Sequence, residues 1–248
     1  MTVVLKLGGS VVTRKDDPET VDEAALAAAA DAVADSDEEL VVVHGGGSFG
    51  HHHAAEYGVS TTKGTHDAAG VGAIHGAMKR LNAAVVEALT DRGVPAVPVH
   101  PFSAAHRDAD GTLTLPTGQV RTLLEEGFVP VLHGDLVAHV GEGATVVSGD
   151  ELVVELAPAV DANRVGVCST VPGVLDADDE VIDHIGTFEA VESVLGGSES
   201  TDVSGGMAGK IRALLALDSP AHVFGPDALG AFLAGDDPGT TVGGTDSS

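Results

Sequence analysis

His44-Gly45-Gly46-Gly47-Ser48-Phe49-Gly50-His51 follows directly on the apolar run Leu40–His44. A β-branched run that ends in three glycines reads as a buried strand opening into a turn without side chains. Such a turn leaves a bare wall of peptide N–H groups that an anionic ligand can approach closely. Gly45, Gly47 and Gly50 also satisfy G-x-G-x-x-G, the dinucleotide fingerprint. That reading requires a second strand ending in an acidic residue ~20 positions later. Around Asp67 the chain instead reads as a loop entering a helix, so a wall between two phosphates is the better reading.

Two more glycine-rich elements flank this one. Lys6-Leu7-Gly8-Gly9-Ser10 ends the first apolar run, where two glycines permit a tight turn and the lysine adds a point charge. Alone it is an ordinary strand-end turn. Asp202-Val203-Ser204-Gly205-Gly206-Met207-Ala208-Gly209-Lys210 reads as a turn entering a helix, and helix N-termini attract anions. His133-Gly134-Asp135 and Ser148-Gly149-Asp150 lie between them. Neither of the first two segments fits the P-loop pattern G-x-x-x-x-G-K-[ST]. The chain holds only five lysines, Lys6, Lys15, Lys63, Lys79 and Lys210, and three lie in or beside these elements. A protein that has nearly purged lysine from its surface keeps it where a mobile cation acts.

Working outward, short β-branched runs alternate with Ala-rich amphipathic stretches, the pattern of an α/β fold with a largely parallel sheet. Strands are expected at Val3–Leu7, Leu40–His44, Ala96–His100, Val129–His133 and Arg164–Ser169, with weaker signals at Leu113–Leu115, Thr145–Val147 and Ala221–Phe224. Helices are expected at Pro18–Ala34, Ala68–Arg92, Pro116–Glu126, Asp150–Val160, Thr187–Leu195 and Gly206–Leu217. Thr20 with Glu23 suggests a capping box for the first of them. Gly196–Gly206 reads as a polar loop, Gly235–Ser248 as a flexible tail, and residues 140–148 as a lobe boundary.

Composition excludes several classes. With 38 Asp and Glu against 12 Lys and Arg, the 248-residue chain carries a net charge of −26. That field repels nucleic acid and anionic membrane surfaces, so neither is expected as a partner. The acid excess runs the whole length, as in proteins built for a salt-saturated interior, where the Debye length shrinks to roughly 3 Å. No apolar run approaches the ~20 residues that span a bilayer. The start lacks a signal peptide's basic region and cleavage site, so a cytoplasmic protein is expected. Cys168, the single cysteine, reads as a buried small hydrophobe.

Together, Lys6-Leu7-Gly8-Gly9-Ser10, the triple glycine, Ser148-Gly149-Asp150 and Gly205-Gly206-Met207-x-x-Lys210 resemble the amino acid kinase superfamily over residues 3–225. Gly45 to His51 and His133-Gly134-Asp135 most resemble its isopentenyl phosphate kinases. The related fosfomycin kinases share much of this, His51 included. The resemblance implies a three-layer αβα sandwich with a mainly parallel central sheet. It implies a phosphate-acceptor lobe at 1–145, an ATP-binding lobe at 146–248 and a homodimer. It implies ATP with Mg²⁺ and a small phosphorylated acceptor, with no protein-held metal. Lys6, Lys15, His51, Asp150 and Lys210 would be catalytic. Lys6, Gly8, Gly9, Ser10, Gly47, Thr170, Gly206 and Lys210 would hold the nucleotide, and Gly46, His51 and Gly149 the acceptor phosphate. The acceptor's apolar tail would lie against the helix containing Val71, Ile74 and Met78. The usual acidic-Val-Asp-Gly turn appears here as Thr170-Val171-Pro172-Gly173, and Arg14 precedes Lys15 where the pattern needs only the lysine.

Some residues keep alternatives at this stage. His51 opens the run His51-His52-His53, where a metal site competes with a phosphate donor, although adjacent histidines point in different directions. His44 reads as structural. Asp150 holds lysines or only caps a helix, and Asp135 shapes the acceptor pocket or only braces its loop.

Overall fold

Val3-Val4-Leu5-Lys6-Leu7 is apolar on both faces apart from one lysine, the pattern of a strand covered on two sides. In the computed structural model, which describes residues 1–195 and 206–244, this run is β1 (Thr2–Leu7). The chain continues through α1 (Gly9–Val12), α2 (Glu23–Ala34), β2 (Glu39–His44), α3 (Gly47–Glu56), α4 (Ala68–Thr90) and β3 (Ala96–Pro98). Next come β4 (His106–Arg107), β5 (Leu113–Thr114), α5 (Gly118–Glu125), β6 (Val129–His133), β7 (Asp135–His139), β8 (Gly143–Val147) and α6 (Gly149–Ala159). The last part holds β9 (Arg164–Cys168), β10 (His184–Ile185), α7 (Glu192–Leu195), α8 (Gly206–Leu215), β11 (Ala221–Phe224), α9 (Leu229–Leu233) and β12 (Thr240–Val242).

The large sheet runs β10-β12-β11-β9-β1-β2-β6-β3, and only the β11–β12 pair is antiparallel. Side-chain alternation sends β1 to two cores. Val3, Leu5 and Leu7 pack with Leu26 and Val33 of α2, Met78, Leu81 and Val85 of α4, and Phe232 of α9. Val4 faces the other way with Leu124 of α5, Leu152 and Leu156 of α6, and Ile211 and Leu214 of α8. This is the expected three-layer sandwich. Lys6 shares the face of Val4, which turns it toward α6.

Beside it stands a four-stranded sheet, β5-β4-β7-β8. Gly134 alone separates β6 from β7, so the chain leaves one sheet and enters the other across a single residue. The expected boundary at 140–148 falls in the β7–β8 hairpin, and the large sheet draws strands from both sides of it. Val59, Ile74, Leu136 and Ala144 form a third, small core between α4 and the lesser sheet. No helix among the described residues is long and apolar enough to cross a membrane.

Several expectations need correction. The tail is not free along its length: Thr240–Val242 joins the sheet, and buried Thr240 accepts the Val174 N–H through Oγ1 at 2.8 Å. Three β-branched residues between glycines are too short a run to register as a strand. α2 begins at Glu23 rather than Pro18, and its cap is Asp22, whose carboxylate accepts from Ala25 N at 3.1 Å. Residues 13–22 instead form a strap of turns closed by a Thr13–Val21 bridge. α3 occupies Gly47–Glu56, where the glycines and histidines suggested a loop. The Gly196–Gly206 loop lies outside the described residues apart from Gly206, as do Asp202–Gly205 of the third motif and residues 245–248.

Candidate active site

The two glycine turns at the ends of β1 and β2 abut each other. Gly8 N donates to Cys168 O at 2.8 Å, and Gly45 N to Leu7 O at 3.0 Å. A Cβ on Gly9 would stand 2.1 Å from the Gly47 nitrogen, and one on Gly45 2.7 Å from the Gly9 nitrogen. Close approach of backbone to backbone therefore demands these glycines, beyond any approach of ligand. Thr13, which the sequence reading passed over, clips the turns together. Its Oγ1 donates to Gly9 O at 2.8 Å and accepts from Ser48 N at 3.0 Å.

Above the turns opens a cleft of about 320 Å³. β1 and its turn contribute Lys6, Gly8, Gly9 and Ser10, and the strap contributes Lys15. Gly46 and exposed His51 come from the second turn and α3, Gly149 and Asp150 from the first turn of α6, and Thr170 and Lys210 from the opposite wall. Most of the expected site residues thus share one cavity. Gly47 lies in a neighbouring depression with Ser10, Lys15 and His51. Gly206 heads α8 and is not in the cavity wall. Ala54, Ile74 and Met78 add apolar lining to the cleft. Val71 packs against the small core behind it rather than lining it.

The charge cluster is compact. Lys6 is 6% exposed, and its Nζ lies 2.7 Å from Asp150 Oδ1. Burial pushes the Asp150 carboxyl up, but Lys6 and Lys210 outweigh it and hold the group below the ordinary carboxylate value. Ser148, not Asp150, caps α6, in a capping box with Glu151. Asp150 is thereby left to the lysines.

Beside the cleft lies a second cluster, built of rings. His44 and His133, both fully buried, stack with centroids 5.6 Å apart. Each Nδ1 lies against the carbonyl of the following glycine, Gly45 at 3.0 Å and Gly134 at 2.9 Å. Their Nε2 atoms meet Asn82 Oδ1 at 3.0 Å and His100 Nδ1 at 2.8 Å. Asp135, also in the cleft wall, takes His75 Nδ1 at 2.9 and 3.1 Å. Histidines spread over residues 44, 75, 100 and 133 gave no sequence signal of meeting. His52, His53 and Glu56 could bring ligand atoms within 4.8 Å of one another, but His53 already contacts Glu19 and Glu56.

The model of the amino acid kinase family matches residues 1–219. The isopentenyl phosphate kinase of Haloferax volcanii is 67% identical over 98% of both chains. The chain belongs to the isopentenyl phosphate kinases of the amino acid kinase family. The isopentenyl phosphate kinase of Methanothermobacter thermautotrophicus is 37% identical over 87% of this chain and 86% of its own. An X-ray structure of an isopentenyl phosphate kinase superposes with a TM-score of 0.84 at 30% identity, covering 98% of this chain and 100% of the other. An isopentenyl phosphate kinase substrate complex, at 23% identity and a TM-score of 0.77 over 97% of this chain and 99% of its own, shares the fold.

Proposed function

We propose that this chain transfers the γ-phosphoryl group of ATP to isopentenyl phosphate, giving ADP and isopentenyl diphosphate. One observation carries the reading: a single cleft is lined by three lysines and a histidine and also by the apolar Ala54, Ile74 and Met78. Both reactants are polyanions, so bringing them together is an electrostatic problem, and phosphoryl transfer asks mainly for positioning and charge neutralisation. Residues 1–145 would seat the acceptor and 146–248 the nucleotide.

In this reading Lys6, held by Asp150, neutralises the transferring phosphoryl group, and Lys15 reaches it from the strap. Lys210 holds the β/γ end of the nucleotide. Gly9, Ser10, Gly46 and Gly47 offer backbone donors, with Thr170 and Gly206 on the nucleotide side; the N–H of Gly8, expected to join them, is already taken by Cys168 O, so Gly8 serves only to keep the turn bare. His51 and Gly149 seat the acceptor phosphate, whose apolar tail turns toward Ile74 and Met78. An acceptor phosphate oxygen attacks the γ-phosphorus, and the bond to the β,γ-bridging oxygen breaks, its electrons leaving with ADP. The attacking oxygen is already ionised near neutral pH, so no base is needed.

Among the described residues the cleft holds two carboxylates, Asp135 and Asp150, both paired. They suit a magnesium ion that arrives on the nucleotide and keeps phosphate and water ligands rather than a protein cage. Such an ion, held through the nucleotide's phosphates beside Lys6 and Lys210, would supply neutralisation of their charge. ADP release in high KCl over a panel of acceptors tests the whole reading. Turnover should be best with isopentenyl phosphate. Preference for a phosphonate such as fosfomycin, or for a carboxylate acceptor, would overturn the substrate.

A further inference from the structure

Lys15 sits on the strap of residues 13–22, which folds as a small hairpin. Thr13 bridges Val21, and Arg14 N donates to Thr20 O at 2.9 Å. Lys15 is exposed, and among the described residues no carboxylate forms an ion pair with it. Its place at the cleft therefore follows from where the strap's backbone lies.

One side chain pins that backbone. Glu19 Oε1 accepts from His53 Nε2 of α3 at 2.6 Å. Its Oε2 accepts from Arg80 of α4, through Nη2 at 2.6 Å and Nε at 3.1 Å. A single carboxylate thus joins the strap to two helices, one of which carries His51 two positions before His53. Glu19 N and Thr20 N add contacts to Ser48 O and Oγ, both at 3.3 Å. The hydrogen bond from His53, then that from Arg80, holds the Glu19 carboxyl below its ordinary value, so it stays charged.

The backbone supplies an independent observation. Glu19 has φ of +49°, in the left-handed region where glycine sits easily and a side chain does not. A turn that needed only this conformation would be better served by glycine. Strain kept at such a position points to a task for its side chain.

The geometry points to Glu19 as a positioning residue for phosphoryl transfer, fixing Lys15 relative to His51 by tying the strap to α3 and α4. This rests on the role given to Lys15 above. The test compares Glu19→Gly, Glu19→Gln, Lys15→Ala and Glu19→Gly/Lys15→Ala by kcat, both KM values and thermal midpoint in high KCl. Glu19→Gly should lower kcat about ten-fold, with both KM values within about two-fold of wild type. Its midpoint should hold, because the substitution relieves the backbone. Glu19→Gln, which keeps an acceptor oxygen, should recover part of the rate. In the Lys15→Ala background, Glu19→Gly should cost nothing further, since nothing remains to position.

Additive losses, a wild-type rate in Glu19→Gly beside an impaired Lys15→Ala, or a rate loss that follows a fallen midpoint would each overturn the latch. A wild-type rate in Lys15→Ala alone would instead remove the assigned role of Lys15, and the latch with it.

Discussion

Two carboxylates reach the same cleft, and their surroundings push them in opposite directions. Burial raises both, but at Asp150 the charges of Lys6 and Lys210 overcome it. At Asp135 burial wins, and the hydrogen bond and charge of His75 only soften the rise. Burial likewise pushes His44, His100 and His133 below the ordinary histidine value, which favours neutral rings. Charge is thus concentrated at Asp150, where phosphates would meet. Near Asp135, burial favours the neutral form of three rings, His44, His100 and His133.

Breaking the charged side should cost most. Lys6→Ala should lower kcat by about 10²-fold or more, measured as ADP release, because it removes charge stabilisation at the transferring group. Asp150→Asn should cost about ten-fold, since it loosens Lys6 without deleting it. A larger loss from Asp150→Asn than from Lys6→Ala would reverse that order of importance.

The acceptor side should respond in binding. His51→Ala should raise KM for isopentenyl phosphate about ten-fold and leave that for ATP nearly unchanged, as expected for one charge-assisted hydrogen bond. His51→Gln should recover part of it. Equal weakening of both substrates would mean that the glycine turn had collapsed.

Stability against pH sharpens the contrast between the two carboxylates. The folded Asp150 titrates below its ordinary 3.8, so its contribution is present above that value and lost as pH falls through the depressed one. Asp135 titrates above 3.8, so its contribution is present below that value and lost as pH rises through the raised one. In urea titrations, Asp150→Asn should flatten the acid limb, and Asp135→Asn should be no less stable than wild type at neutral pH. The smallest effects belong to Lys63→Ala and Lys79→Ala, whose kcat should stay within about two-fold of wild type. If they matched Lys6→Ala, the scarcity of lysine would carry no functional meaning.

The sheet strands and the lysines were legible because each leaves a local mark: an apolar run, or a rare residue beside glycines. α3 was not, because Gly47-Ser48-Phe49-Gly50-His51-His52-His53 has poor helix formers and a weak apolar period. Its helix is selected by tertiary contacts, among them Ser48 N on Thr13 Oγ1. Thr20 with Glu23 mimicked a capping box, yet Asp22 stands closer to the start and wins the free N–H. The ring cluster was invisible for a different reason. Its members come from β2, α4, the β3–β4 connection and β6, and only the sheet order makes them neighbours.

Gly9 meets Gly45 and Gly47 peptide against peptide, with a Cβ on Gly9 falling 2.1 Å from a backbone nitrogen. The gap between the two turns is therefore not a dimension that mutation can adjust in small steps, because even alanine forces the strands' ends apart. Ile74 and Met78, in the wall of the same cleft, are side chains whose size can change without moving the two turns' peptides. A lineage built on this cleft is held fast to the spacing of its two turns, so heritable variety should collect in the side chains of the wall and not in the glycines.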